Sequence, residues 1–392
     1  MTRPGNPQGS RPPGWAHCLG TGAAGIALRH IHRARAGNGS WRTVQHWAVT
    51  MTGNPITTPP HASSLYTGAP AVAFALHSAG QPAYAAALET LDHHIAAATR
   101  QRLDRAHERI DRRCLPTLRE FDLIGGLTGL GAYLLYRHGG GELLRDGLSY
   151  LVRLSKPIEV GGETLPGWWT GNGPADQRSA HWPGGHANFG IAHGIAGPLA
   201  LLSTTMRRGI MVSGQADAIS DLCTWLDRWR CGTNHRPWWP EMISLPEWRS
   251  GTVRQRGPHR PSWCYGTPGL ARAQQLAAVA MADPARQRHA ERALVACLTD
   301  EHQLAQLGDV SLCHGWAGLA LTTWRAATDS DTDLAAHIPR VLGRLDQHLA
   351  RHGLPPGDGL LEGTAGINLV RDTTTATTPP ASTWDACLLI SG

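Results

Sequence analysis

The chain has 392 residues, 41% hydrophobic and 17% charged, with a net charge of +6 from 36 basic and 30 acidic side chains. That is enough chain for a sizeable core in one large or two modest domains, and no run approaches the ~20 apolar residues of a membrane span. Lys156 is the sole lysine and the arginines are scattered, so the basic balance lacks the dense patch that argues for nucleic acid.

The first sixteen residues, MTRPGNPQGSRPPGWA, are rich in Pro, Gly and Arg and carry no apolar signal-peptide core. A cytoplasmic location is the expectation, with thiols kept reduced. The eight cysteines, at 18, 114, 223, 231, 264, 297, 313 and 387, include no C-x-x-C pair and are too few for a disulfide scaffold. They are read as candidate metal ligands or as small buried apolar residues.

A glycine motif then recurs along the chain, each copy followed by apolar sequence. The copies are Gly22-Ala-Ala-Gly25, Gly68-Ala-Pro-Ala71, Gly126-Leu-Thr-Gly129, Gly194-Ile-Ala-Gly197, Gly266-Thr-Pro-Gly269, Gly315-Trp-Ala-Gly318 and Gly363-Thr-Ala-Gly366, at spacings of 46, 58, 68, 72, 49 and 48 residues. Glycines three apart share one face of a helix's first turn and allow another backbone to come close. The Ala- and Leu-rich sequence after each copy favours helix. Between copies lie amphipathic patterns: Pro82–Arg109, Gly141–Ser155, Gln215–Arg230, Asp283–Asp300 and Asp331–Arg351. Each repeat is therefore predicted to be an apolar helix plus an amphipathic one. Seven such pairs stack as an open solenoid or close into an α/α toroid, an all-α ring that needs no capping repeats. The bland alternative is a bundle whose helices merely begin at glycines. Two insertions rich in Trp, Pro and Gly, Lys156–Gly190 and Cys231–Ser262, read as ordered loops roofing one end.

Residues just before the motifs carry the chemistry. Cys264 and Cys313 stand two residues before the first glycine of copies five and six; His314 and His193 stand one before copies six and four. If all inner helices start at one end of the ring, these side chains converge there. Cys264, Cys313 and His314 then form a Cys2His zinc set, and three protein ligands leave the fourth position open, as in catalytic zinc sites. Helix N-termini favour thiolate at both cysteines. Asp122, Arg260 and Tyr265 lie near the same end. Each has a plainer reading: His193 as a core or capping histidine, Asp122 as a helix cap, Arg260 as a surface charge. His186, in GGHANFG, is a weaker third histidine candidate, and Glu362 and Tyr66 have no assigned role.

The blocks FDLIGGLTGLGAYLL, AHGIAGP, RPSWCYGTPGL, SLCHGWAGL and the terminal WDACLLI resemble the lanthionine synthetase C-like proteins, the lantibiotic cyclases. The resemblance runs from about Trp15 to the far end of the chain. It implies one toroid domain over 1–392 with seven inner and seven outer helices. It implies one Zn2+ on Cys264, Cys313 and His314, a catalytic His193, an active-site Asp122, and Arg260 and Tyr265 beside the metal. It also implies a substrate: a dehydrated leader–core precursor peptide, whose cysteine thiols add to dehydroalanine or dehydrobutyrine. A separate dehydratase is the implied partner, with an exporter near the membrane as a further one. Two departures fall at the seam where residues 1–20 meet 367–392. Little sequence precedes the first motif where the family has room for an outer helix, and the seventh inner helix looks short, so imperfect closure is expected there. Two other functions compete with the cyclase: a scaffold that binds precursor and dehydratase without catalysis, and zinc-dependent addition of glutathione to dehydroamino acids.

Overall fold

In the computed structural model of the chain, residues 11–56, 58–376 and 380–392 are described. Every glycine motif opens a helix. The pairs follow one another as α1 (Ala23–Arg35) and α2 (Trp41–Thr52), α3 (Ala69–Ala79) and α4 (Ala85–Asp111), α5 (Leu127–His138) and α6 (Glu142–Leu154). Then come α7 (Ala196–Arg207) and α8 (Gln215–Arg228), α9 (Thr267–Ala280) and α10 (Pro284–Thr299), α11 (Trp316–Thr328) and α12 (Ile338–His352), and finally α13 (Thr364–Thr374). The odd-numbered helices form an inner ring, each packed on the next, and α13 closes it against both α11 and α1. The even-numbered helices lie outside.

Burial follows the sequence pattern. Residues 196–205 of α7 and 267–278 of α9 are all buried. Outer α4 buries one stripe only, Leu88, Ile95, Thr99, Leu103 and Ala106, the spacing of a single helix face. The second glycine of six motifs has a specific cause. A methyl group at Gly25, Gly129, Gly197, Gly269, Gly318 or Gly366 would overlap the carbonyl oxygen of the residue six earlier. Each loop thus folds down onto the first turn of its own helix, and only a hydrogen side chain leaves room.

The loops before the inner helices are joined to one another by backbone hydrogen bonds. These run Leu19 N–H to Tyr66 O (2.9 Å), Leu361 N–H to Gly20 O (2.9 Å), Cys313 N–H to Leu361 O (2.9 Å), Cys264 N–H to Cys313 O (3.2 Å), Ile191 N–H to Cys264 O (3.1 Å) and Leu123 N–H to Ala192 O (3.1 Å). This belt fixes equivalent positions of successive repeats side by side.

The seam differs from expectation in two ways. The ring closes, and α13 has eleven residues, as many as α3. Among the described residues six outer helices are present, and none spans from α13 back to α1. The stretch before α1 carries Pro12, Pro13 and Gly14, which cannot sustain a helix.

After α13 the chain turns inward instead of outward. Trp384, Asp385, Cys387, Leu388, Leu389 and Ile390 are all buried. His32 bonds Ser382 (3.0 Å), Trp384 bonds Thr373 (3.0 Å), and the hydroxyl of Tyr66 donates to Cys387 O (2.9 Å). The indole of Trp263 donates to Leu388 O (3.1 Å) and the guanidinium of Arg272 to Ile390 O (2.8 Å). Leu389 reverses the chain in a left-handed conformation (φ 52°), a strain of about 1–2 kcal/mol that the packing around it must hold. This segment fills the ring's axis.

The two insertions fold on each other. β1 (Ile158–Val160) and β2 (Glu163–Leu165) form a hairpin, and β3 (His186–Asn188) of the first insertion pairs antiparallel with β6 (Met242–Ser244) of the second, His186 opposite Ser244. β4 (Cys231–Gly232) pairs with β5 (Pro237–Trp238). Trp168 and Trp169 are buried beneath them. Among the described residues no helix is long and apolar enough to cross a membrane.

Candidate active site

The shared offset of Cys264 and Cys313 translates directly into contact, because the belt bond Cys264 N–H to Cys313 O sets the two loops in register. The sulfurs of Cys264 and Cys313 and a ring nitrogen of His314 lie within 4.8 Å of one another. Among the described residues this is the one group of three or more metal-binding side chains. Both cysteines sit at the N-terminal end of a long inner helix, where exposed N–H groups favour negative charge. Cys313 and His314 beside it draw the Cys264 thiol below its ordinary value, while the neighbouring Cys264 and burial push Cys313 up. The His314 imidazole is raised by its hydrogen bond to Cys264, against burial, with Asp309 adding to the effect. Two sulfurs and one imidazole suit a divalent zinc ion, which would ionise both thiols on binding.

Asp122 and His193 meet beside this cluster. Asp122 ends the one-turn helix Leu118–Phe121 and is 1% exposed. Its Oδ1 accepts from the Gly125 N–H (2.6 Å) and its Oδ2 bonds His193 Nδ1 (2.7 Å). Oδ1 closes the turn before α5 without capping the helix, whose N-cap Gly126 receives no side-chain bond, and Oδ2 holds His193. His193 stands in the loop before α7 with its side chain 40% exposed. Burial works against its charged form, but the bond and the charge of Asp122 outweigh it and raise the imidazole above its ordinary value. With Nδ1 committed to Asp122, Nε2 is the nitrogen left open.

Tyr265 lies across from His193, ring centroids 6.4 Å apart. Burial raises its phenol and keeps it neutral. Asn188 Nδ2 donates to the Tyr265 hydroxyl (3.0 Å), and the Gly190 N–H fixes Asn188 by donating to its Oδ1 (3.1 Å). The tyrosine proton is thereby left to be donated elsewhere. Gly190 itself leaves room for the Tyr265 ring, which a methyl group there would meet at 2.7 Å.

Arg260 stands in the segment leading to Cys264, and its charge is felt at Cys313 and His314. Among the described residues its guanidinium makes no hydrogen bond to Asp122. His186 is not brought to the cluster: it is buried in β3, and its Nδ1 bonds Asn172 O at 2.8 Å.

Two participants went unseen in the sequence, and a third was noted there without a role. Asp309 accepts from the Ser311 N–H (2.7 Å) and lies 3.4 Å from His314 Nε2, a carboxylate behind a metal-binding imidazole. An Asp two residues before a Ser is an ordinary turn signal and marks nothing more. Asn188 belongs to an insertion, outside the repeat that organised the search. Tyr66, without a role from sequence, anchors the axial segment beneath Cys313.

The comparisons agree with this architecture. The family model of the lanthionine synthetase C-like protein matches residues 16–389. The nisin biosynthesis protein NisC of Lactococcus lactis subsp. lactis is 24% identical over 314 residues, 78% of this chain and 72% of that protein. The solved structure of nisin cyclase superposes with a TM-score of 0.82 at 21% identity, covering 97% of this chain and 93% of the other. The fold is that α/α toroid, and the chain belongs to the lanthionine synthetase C-like family.

Proposed function

We propose that the protein is a zinc-dependent peptide cyclase that closes thioether rings in a dehydrated precursor peptide. The observation carrying this reading is the juxtaposition of the Cys264–Cys313–His314 donor set with the Asp122–His193 pair at one end of the ring. Similarity to the nisin biosynthesis protein and to nisin cyclase supports it. Zinc held by Cys264, Cys313 and His314 would supply a Lewis acid that keeps a substrate thiol ionised at neutral pH, where a free thiol with a pKa of ~8.5 is mostly protonated.

The remaining chemistry belongs to the chain. The peptide thiolate attacks Cβ of dehydroalanine or dehydrobutyrine. A carbon–sulfur bond forms, and the alkene pair moves to the amide oxygen as an enolate. A proton then returns to Cα, so the net change is transfer of the thiol proton to carbon. His193, held charged by Asp122, is the acid for that carbon and recovers a proton from the next thiol. Tyr265 and Arg260 offer an O–H and a positive charge to the enolate oxygen. A separate dehydratase has to make the unsaturated residues, and the whole chain acts as one domain in a compartment where thiols stay reduced.

The test is direct. Purified protein is incubated with zinc and a dehydrated precursor, and free peptide thiols are counted by alkylation and mass spectrometry. Loss of thiols at constant mass is the expected result. A protein that binds the precursor but leaves every thiol free is a scaffold, and one that consumes glutathione instead acts on a different nucleophile.

A further inference from the structure

The belt of backbone hydrogen bonds joins six of the seven neighbouring loop pairs; among the described residues, none joins the loop before α3 to the loop before α5. A side chain fills that gap. Arg102, on the inward edge of outer helix α4, donates Nη1 to Ser63 O (2.8 Å) in the first loop. Its Nη2 donates to Arg119 O (2.7 Å) and to Gly125 O (2.7 Å) in the second. One planar guanidinium thus holds three carbonyls on two repeats, a geometry that lysine cannot reproduce.

The choice of carbonyls matters. The residue whose carbonyl Arg102 holds, Gly125, is the residue whose N–H holds Asp122 Oδ1 at 2.6 Å. Asp122 Oδ2 in turn holds His193 at 2.7 Å. No side chain of Arg102 touches the reacting atoms; its effect passes through one glycine and one carboxylate. We propose that Arg102 is a positioning residue that fixes the Asp122–His193 pair from the outer wall of the ring. The inference rests on the cyclase reading for its consequence in catalysis, and on hydrogen bonds alone for its geometry.

In the arrangement described, Asp122 has no freedom to rotate, since each oxygen is committed and the loop carrying its amide donor is pinned. Without the guanidinium, Gly125 loses its outer tether exactly where the belt is open. A displacement of the order of 1 Å between catalytic groups costs about 100-fold in rate, so even a small loop shift is measurable.

The experiment uses zinc-loaded full chain, wild type beside Arg102→Ala and Arg102→Met. The methionine keeps the aliphatic stem and so guards against a variant that merely fails to fold. Two readouts are taken: the downfield proton resonance of the His193 Nδ1–H bonded to Asp122, and cyclisation kinetics. Expected in both variants are a broadened or lost resonance, kcat lower by about 10- to 100-fold, an unchanged KM and an unchanged zinc content. Low-millimolar guanidinium should restore the resonance and kcat in Arg102→Ala, which has room for it. An intact resonance with unchanged kcat overturns the proposal. So does joint loss of fold and zinc in both variants, which makes Arg102 a structural brace only. If the wild type cyclises nothing yet the resonance depends on Arg102 and returns with guanidinium, the positioning stands and the cyclase reading fails.

Discussion

The two ends of the ring treat charge in opposite ways. At the end where the inner helices finish, Arg272 is fully buried; burial draws its guanidinium down to about 10, and Asp329 holds it charged at 2.7 Å. Asp329 also takes Arg207 at 2.8 and 3.0 Å, and Arg325 grips the buried Asp385 with two bonds of 2.5 and 2.7 Å. Arg207, Arg272 and Arg325 are thus each paired with a carboxylate. At the end where the inner helices begin, two thiols and an imidazole lie within 4.8 Å of one another, His193 keeps one nitrogen open and the Arg260 guanidinium makes no hydrogen bond among the described residues. The same helices serve both ends. Saturated charges hold the ring in shape, and the groups left short of partners are the ones available to a metal and a substrate.

That contrast can be broken at either end. The largest effect is expected for Cys313→Ala: zinc falls from about one per chain to near zero by elemental analysis, and cyclisation is abolished, because two remaining ligands do not hold the ion. His193→Ala should keep its zinc and lose about 100- to 10,000-fold in kcat, the usual loss for a general acid. The pH profile sharpens this. The raised His193 loses its proton above the ordinary value of about 6.5, so the rate of Cα protonation should hold below that value and fall as pH rises through the raised one. Asp122→Asn should move that limb to lower pH; an unmoved limb assigns the proton to another group. Any stability from the pair has the same sign, present at low pH and lost as His193 deprotonates.

At the other end, Asp385→Ala leaves Arg325 charged and nearly enclosed. Denaturant titration should show a loss of about 3–5 kcal/mol, with the isolated chemistry of the mouth unchanged in whatever fraction stays folded. Gly318→Ala forces a methyl group onto Leu312 O, next to Cys313. A cost of about 1–3 kcal/mol is expected, together with weaker zinc retention in a chelator competition. The smallest effect belongs to the outer surface: Arg112→Ala breaks the exposed pair with Glu108, and its melting curve should shift by no more than about 0.3–0.5 kcal/mol implies.

Much of this was legible because a repeat multiplies weak signals. One Gly-x-x-Gly says little, but seven copies give the inner ring, and a common offset places Cys264, Cys313, His314 and His193 at one end. The physical cause, a carbonyl resting on the second glycine, is the same in six copies, so the offset has the same meaning in each. Arg102, Asp309 and Asn188 have no such protection. They lie on an outer helix, in a turn and in an insertion, and their roles depend on distant carbonyls and side chains that spacing does not reveal. The axial segment was visible as WDACLLI but not as an axis, since nothing in a buried apolar run tells which cavity receives it.

The axial segment sets the molecule apart from an open array of repeats. In such arrays contacts are local, and each unit can fold or fray with its neighbours. Here residues 382–390 bond partners up to 350 positions away, such as His32 with Ser382, and reach helices on several sides of the ring. Contacts at that separation slow folding and tie distant units together. The ribosome delivers this segment only after all seven inner helices have emerged, so its contacts are the last that the chain can make. Unfolding should then be a single cooperative event rather than a sequential loss of repeats, and a chain truncated before Ser382 should be left as an expanded, protease-sensitive species.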